Sequence, residues 1–98
     1  IERLLPLGEP IIVLHGTDTM TVTADLVHAK LKKPQVPVIF TGAMRPIGFE
    51  NSDALQNVTE ALLASNLLSA GVYLVFHGRV FSVPGVRKNR EKRGFESV

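Results

Sequence analysis

The stretch VLHGTDTM, residues 13–20, ends an apolar run on His15 and Gly16 and then sets hydroxyls on either side of a carboxylate: Thr17, Asp18 and Thr19. Two roles fit these residues. As local structure, Gly16 lets the chain turn where a strand stops, and Thr17 or Asp18 caps the free N–H groups of the helix that follows. As chemistry, Thr17 offers a hydroxyl to attack or to orient water, and Asp18 offers a carboxylate for a substrate ammonium. A cation must then lower the proton affinity of the hydroxyl, and a lysine is the partner such a site lacks locally.

Two further polar segments follow apolar runs. TGAMRPIGFENSDA, residues 41–54, is a long connection, and loops of that length in a compact domain are often functional. Gly42 and Ala43 leave little side chain between the backbone and a ligand, so Ala43 can present its main-chain carbonyl or N–H. Arg45 is expected to anchor this loop on a carboxylate, with Asp53 the nearest candidate. The third segment, HGRVFSVPGVRKNREKRGFES, supplies cations. Only one that folds back toward the first strand could reach Thr17, and Lys88, Arg87 and Arg90 all remain open.

The elements that must position these residues follow from hydrophobic patterning. Residues 10–15, 37–41 and 71–77 are short, nearly continuous apolar runs, as strands covered on both faces of a parallel sheet should be. Residues 19–31 space Met20, Ala24, Val27 and Leu31 as a helical stripe. Residues 52–68 predict a second helix, opened by the capping sequence NSDA, with Leu55, Val58, Ala61, Leu62, Ser65 and Leu68 along its inner side. The order strand, helix, strand, helix, strand predicts two right-handed crossovers and an α/β fold: an open three-layer sandwich on a parallel, Rossmann-like sheet. In such sheets ligands bind outside the carboxyl ends of the strands, where all three polar segments begin.

The chain has 98 residues, 45% of them hydrophobic and 20% charged, which fits part of one globular domain spanning 1–98. There is no cysteine, and His15, His28 and His77 lack metal-ligand spacing, so neither a disulfide framework nor a metal site is expected. No apolar run approaches the roughly 18 to 20 residues needed to cross a bilayer, so no membrane partner is expected. The net charge of +2 conceals a basic C-terminal segment, 84–98, with Arg79 just before it. That segment reads as a solvated, frayed tail, or as a face for an anion or a partner. No RNA-reading motif or stacked aromatics accompany it, so nucleic acid is not expected as a ligand. The chain begins at Ile1, and IERLLPLGEP reads as the end of an amphipathic segment, so a longer parent protein is expected.

HGTDTM, then PVIFTGAMRP, then SDALQN opening a helix, in that order, resemble the N-terminal domain of bacterial-type L-asparaginases and glutaminase-asparaginases over residues 10–95. The ending, VFSVPGVRKNREKRGFES, is closer to short, single-domain asparaginase-like proteins. The resemblance implies cleavage of the side-chain amide of L-asparagine, or less efficiently L-glutamine, to the acid and ammonia without a cofactor. It implies catalytic roles for Thr17, Asp18 and Lys88, with Gly16, Asp18 and Ala43 binding substrate. It further implies a homo-oligomer in the cytoplasm acting on a small-molecule substrate. The family's other catalytic threonine lies in a TGGTI-like turn that does not precede Ile1, so this chain by itself is expected to be inactive. Two alternatives go with the resemblance: the ammonia-releasing subunit of a glutamyl-tRNA amidotransferase, and a non-catalytic domain that binds asparagine or aspartate.

Overall fold

A computed structural model describes residues 4–32, 34–44 and 52–98. Its core is a sheet of four strands in the order β1 (Ile11–Leu14), β2 (Pro37–Thr41), β3 (Gly71–Phe76) and β4 (Arg79–Ser82). The first three are parallel, with Ile39 of β2 facing Ile12 on one side and Tyr73 on the other. All five residues of β2 are buried, which explains why its sequence shows no polar alternation.

Helices α1 (Met20–Leu31) and α2 (Ala54–Ser65) cover opposite faces of the sheet. Alternate strand residues divide accordingly. Ile11, Val38, Phe40, Val72, Leu74 and Phe76 pack with Met20 and Ala24 of α1, while Ile39 and Val75 pack with Ala61 and Ala64 of α2. The three layers are those the sequence predicts.

Their connectivity is not. The chain steps through the sheet in one direction, β1 to β2 to β3, yet its two crossover helices lie on opposite faces. The crossovers therefore have opposite hands, and one is the uncommon left-handed kind rather than both being right-handed. Hydrophobic periodicity locates a helix but does not say which face of the sheet it will cover.

The inner side of α2 is also a correction. Leu55 and Leu62 are exposed, and the buried positions are Ala54, Asn57, Ala61 and Ala64. Small side chains let the helix lie close to the sheet, and that closeness brings the polar Asn57 into contact with the strand ends. Helix α1 follows expectation, with Met20, Ala24, Val27 and Leu31 inward.

Beyond β3 the chain turns back antiparallel as β4, so the sheet is mixed. The connection has two residues, His77 and Gly78, both with positive φ (46° and 76°), the combination a type I′ hairpin requires. The basic C-terminal segment is not a frayed tail. It forms the antiparallel hairpin of β5 (Val86–Asn89) and β6 (Gly94–Ser97), and its Val86 and Phe95 are buried in the α1-side core. The Phe95 ring meets that of Phe76 edge-on at 5.0 Å. This packing fixes the hairpin beside the start of α1.

Candidate active site

The turn after β1 is shaped by its own side chains. His15 Nδ1 donates to the Gly16 carbonyl at 2.8 Å, so in the neutral ring Nε2 accepts the Thr23 hydroxyl at 2.9 Å. His15 N–H also continues the parallel ladder onto the Thr41 carbonyl. Gly42 follows, and a Cβ there would lie 2.2 Å from the His15 carbonyl oxygen. The missing side chain thus serves the approach of β1 to β2, where the sequence had pointed to room for a ligand.

The helix cap is Thr19, and it makes no side-chain capping bond. Neither Thr17 nor Asp18 caps α1. Thr17 is instead buried at 9% exposure, and its hydroxyl oxygen accepts a hydrogen bond from Lys88 Nζ at 2.7 Å. The same ammonium reaches Asp18 Oδ1 at 2.6 Å. Arg90 adds a second cation at 3.2 Å from that oxygen. Of the three cations sequence left open, Lys88 holds both Thr17 and Asp18, Arg90 touches Asp18 only, and Arg87 turns to Glu96 at 3.3 Å.

Lys88 reaches across some seventy residues of sequence because β5 is locked to β6. Asn89 Nδ2 donates to Glu96 Oε1 at 2.8 Å, while Asn89 Oδ1 accepts the Lys92 N–H at 3.1 Å in the hairpin turn. The Asn89 amide, with Arg87 beside it, holds the Glu96 carboxyl below its ordinary range. At the site itself, the hydrogen bond and charge of Lys88, followed by the charge of Arg90, hold the Asp18 carboxyl below the usual aspartate range. Lys88 and Arg90 thus favour the anionic form of Asp18, while its outer surface remains open to solvent.

A second polar cluster braces the same rim. Asn57, fully buried, donates to the Gly42 carbonyl at 2.8 Å and to Asp53 Oδ2 at 3.2 Å, and accepts the His77 N–H at 3.0 Å. Asp53 Oδ2 also accepts from the Met44 N–H at 2.9 Å and from His77 Nε2 at 2.6 Å. The ends of β2, α2 and β3 are thereby tied together, and the backbone on both sides of Ala43 is held. Ala43 itself is half-buried at this rim, and Gly16 precedes Thr17 on the other side. Arg45, the expected partner of Asp53, lies outside the described residues.

Sequence reasoning missed the brace. Its signal was present in Asn57, a polar side chain at the spacing of Ala54, Ala61 and Ala64, and in Gly78, which marks a turn straight after His77.

Residues 5–98 match the family described as Asparaginase, N-terminal. The chain belongs to the asparaginase family. It is 36% identical over 70 residues to an L-asparaginase of Thermococcus kodakarensis, covering 71% of this chain and 21% of that protein. It is 39% identical over 73 residues to a glutamyl-tRNA(Gln) amidotransferase subunit of Methanococcus vannielii, covering 74% of this chain and 17% of that one. The asparaginase-family fold is equally clear in three dimensions. The solved thermostable L-asparaginase from Thermococcus kodakarensis superimposes with a TM-score of 0.85 at 27% identity, covering 99% of this chain and 30% of that one. A probable cytoplasmic L-asparaginase from Campylobacter jejuni gives 0.84 at 30% identity, covering 97% and 31%. The chain thus spans about a fifth of the length of the curated relatives it matches. Among the described residues no helix is long and apolar enough to cross a membrane.

Proposed function

We propose that Thr17, Lys88 and Asp18 form the proton-transfer part of an amidohydrolase site that cleaves the side-chain amide of L-asparagine, with L-glutamine a poorer substrate. The observation that carries this reading is the 2.7 Å contact of Lys88 Nζ with Thr17 Oγ1, made by residues 71 positions apart. The Lys88 side chain is only 14% exposed, and its ammonium is turned in to a threonine hydroxyl as well as to a carboxylate.

In the proposed reaction the oxygen of water attacks the amide carbon. For this step Lys88 first gives one ammonium proton to solvent; the water's proton then passes to Thr17 Oγ as the Thr17 proton passes to the resulting Lys88 amine. The tetrahedral intermediate collapses by breaking the carbon–nitrogen bond, and the nitrogen leaves as ammonia with the proton Lys88 has received. Asp18 holds Lys88 in place on one side and, on its solvent side, is open to the substrate's ammonium. Gly16 and Ala43 line the substrate from the ends of β1 and β2, and no cofactor takes part. In this reading the substrate is a small molecule and the parent protein is a homo-oligomer. The likeness to the probable cytoplasmic L-asparaginase of Campylobacter jejuni favours a cytoplasmic setting.

The test is ammonia release from L-asparagine and L-glutamine by the protein encoded by the whole parent reading frame. Thr17→Val is expected to lower kcat/KM by about 10³-fold or more, as loss of a group that acts directly in bond-making does. Retained activity in the variant would remove Thr17 from the mechanism. The 98-residue chain alone is expected to release no ammonia.

The similarity to the Methanococcus amidotransferase supports a second reading, in which ammonia is released for transfer-RNA-dependent amidation. Ammonia release that requires a partner protein would favour it. Binding of asparagine or aspartate with no release under either condition would instead make this a binding domain.

A further inference from the structure

The turn of the β5–β6 hairpin presents more positive charge than the proposed reaction uses. Arg90, Glu91, Lys92 and Arg93 join Asn89 to Gly94, and the turn is closed by the Arg93 N–H on the Arg90 carbonyl at 3.3 Å and by the Lys92 N–H on Asn89 Oδ1 at 3.1 Å. Two of these side chains face one cavity of about 320 Å³, lined among the described residues by Met44, Lys88, Arg90 and Arg93. Asp18 is shared by Lys88 and Arg90, and among the described residues no carboxylate pairs with Arg93. Three cations therefore surround a space whose nearby carboxylate is already engaged with two of them.

We propose that this cavity is an oxyanion subsite, with Arg93 its principal ligand and Arg90 and Lys88 its walls, taking a small phosphate or carboxylate. Guanidinium groups suit such ligands because their planar N–H fork meets two oxygens at once. The Met44 side chain adds an apolar wall, so part of the bound anion would be shielded from water and its attraction to the cations less screened. The subsite shares Lys88 with the proposed hydrolytic group but involves no bond cleavage, and its occupancy can be read in a protein that releases no ammonia.

The experiment is titration of the isotopically labelled chain, followed by backbone NMR shifts at low ionic strength, with inorganic phosphate in one series and succinate in another. Saturable shifts centred on residues 88–94 and Met44 are expected in at least one series, and comparing the two identifies which anion is preferred. Arg93→Gly is the informative variant. Arg93 has φ of 50°, a conformation glycine adopts freely, so the turn persists while the guanidinium is lost. Binding should weaken by about tenfold, the loss typical of one charge-assisted contact. Lys92→Ala, in the same turn but not on the cavity, should bind as the unaltered chain does. The proposal is overturned by linear, unsaturable shifts, by equal weakening in Lys92→Ala, or by unchanged affinity in Arg93→Gly.

Discussion

Two polar clusters share one rim of the sheet and are built on opposite principles. In the Thr17, Asp18 and Lys88 cluster, a single ammonium divides its hydrogen bonds between a hydroxyl and a carboxylate oxygen that also takes Arg90. In the Asp53, Asn57 and His77 cluster, Asn57 and Asp53 join α2 and its cap to the chain that follows β2 and β3, and the central amide is fully buried. The first arrangement can pass protons and exchange partners because its charges are partly open to water. Asn57, at the centre of the second, cannot exchange partners without unpairing a fully buried amide, which is what makes that cluster a brace.

That contrast is broken most directly through Asn57. Asn57→Ala removes the partners of the Gly42 carbonyl and the His77 N–H together, and buried groups left unpaired cost about 1–3 kcal/mol each. Urea unfolding of the chain should show a loss of about 3 kcal/mol, whereas Thr17→Val should stay within about 1 kcal/mol. Equal losses would mean that the two clusters are not functionally divided. The thin margin of a chain of this size makes such a loss easy to see.

A finer test reads the charge of Asp18. Its carboxyl is held below the ordinary aspartate range by Lys88 first and Arg90 second. A depressed folded-state pKa means that the pairing contributes in full above the unfolded value and is lost as pH falls through the folded one. Carboxyl carbon NMR should therefore place the Asp18 midpoint below that of a free aspartate. Lys88→Met should raise it toward the ordinary value, and Arg90→Gln should raise it less. A midpoint that Lys88→Met leaves in place would show that the ion pair is absent in solution.

The two clusters also differed in how far the sequence revealed them. Thr17 and Asp18 stand at a strand end that hydrophobicity alone locates, and the family resemblance pointed to Lys88 among the three cations that spacing left open. The element carrying Lys88 was not legible, because β5 and β6 are four-residue strands rich in charge, with only Val86 and Phe95 to mark an inner face. Asn57 was read as part of a helix-opening motif rather than as a contact. Its role depends on how closely α2 approaches the sheet, which the alanines at 54, 61 and 64 set and the exposed leucines beside them obscured. The left-handed crossover was hidden for a related reason, since either helix pattern is compatible with either face.

Thr41 lies between the clusters, at the end of β2, and belongs to neither. Its backbone carbonyl accepts the His15 N–H, but its fully buried hydroxyl has no hydrogen-bond partner among the described residues. A buried hydroxyl left without a partner lowers stability, and replacing it with a methyl of the same shape removes that penalty without opening a cavity. Thr41→Val should therefore be neutral or stabilising by up to about 1 kcal/mol in urea unfolding, the smallest effect expected at this rim. A loss of comparable size would show that the hydroxyl is engaged in solution, and would join β2 to one of the clusters as a working part instead of the wall between them.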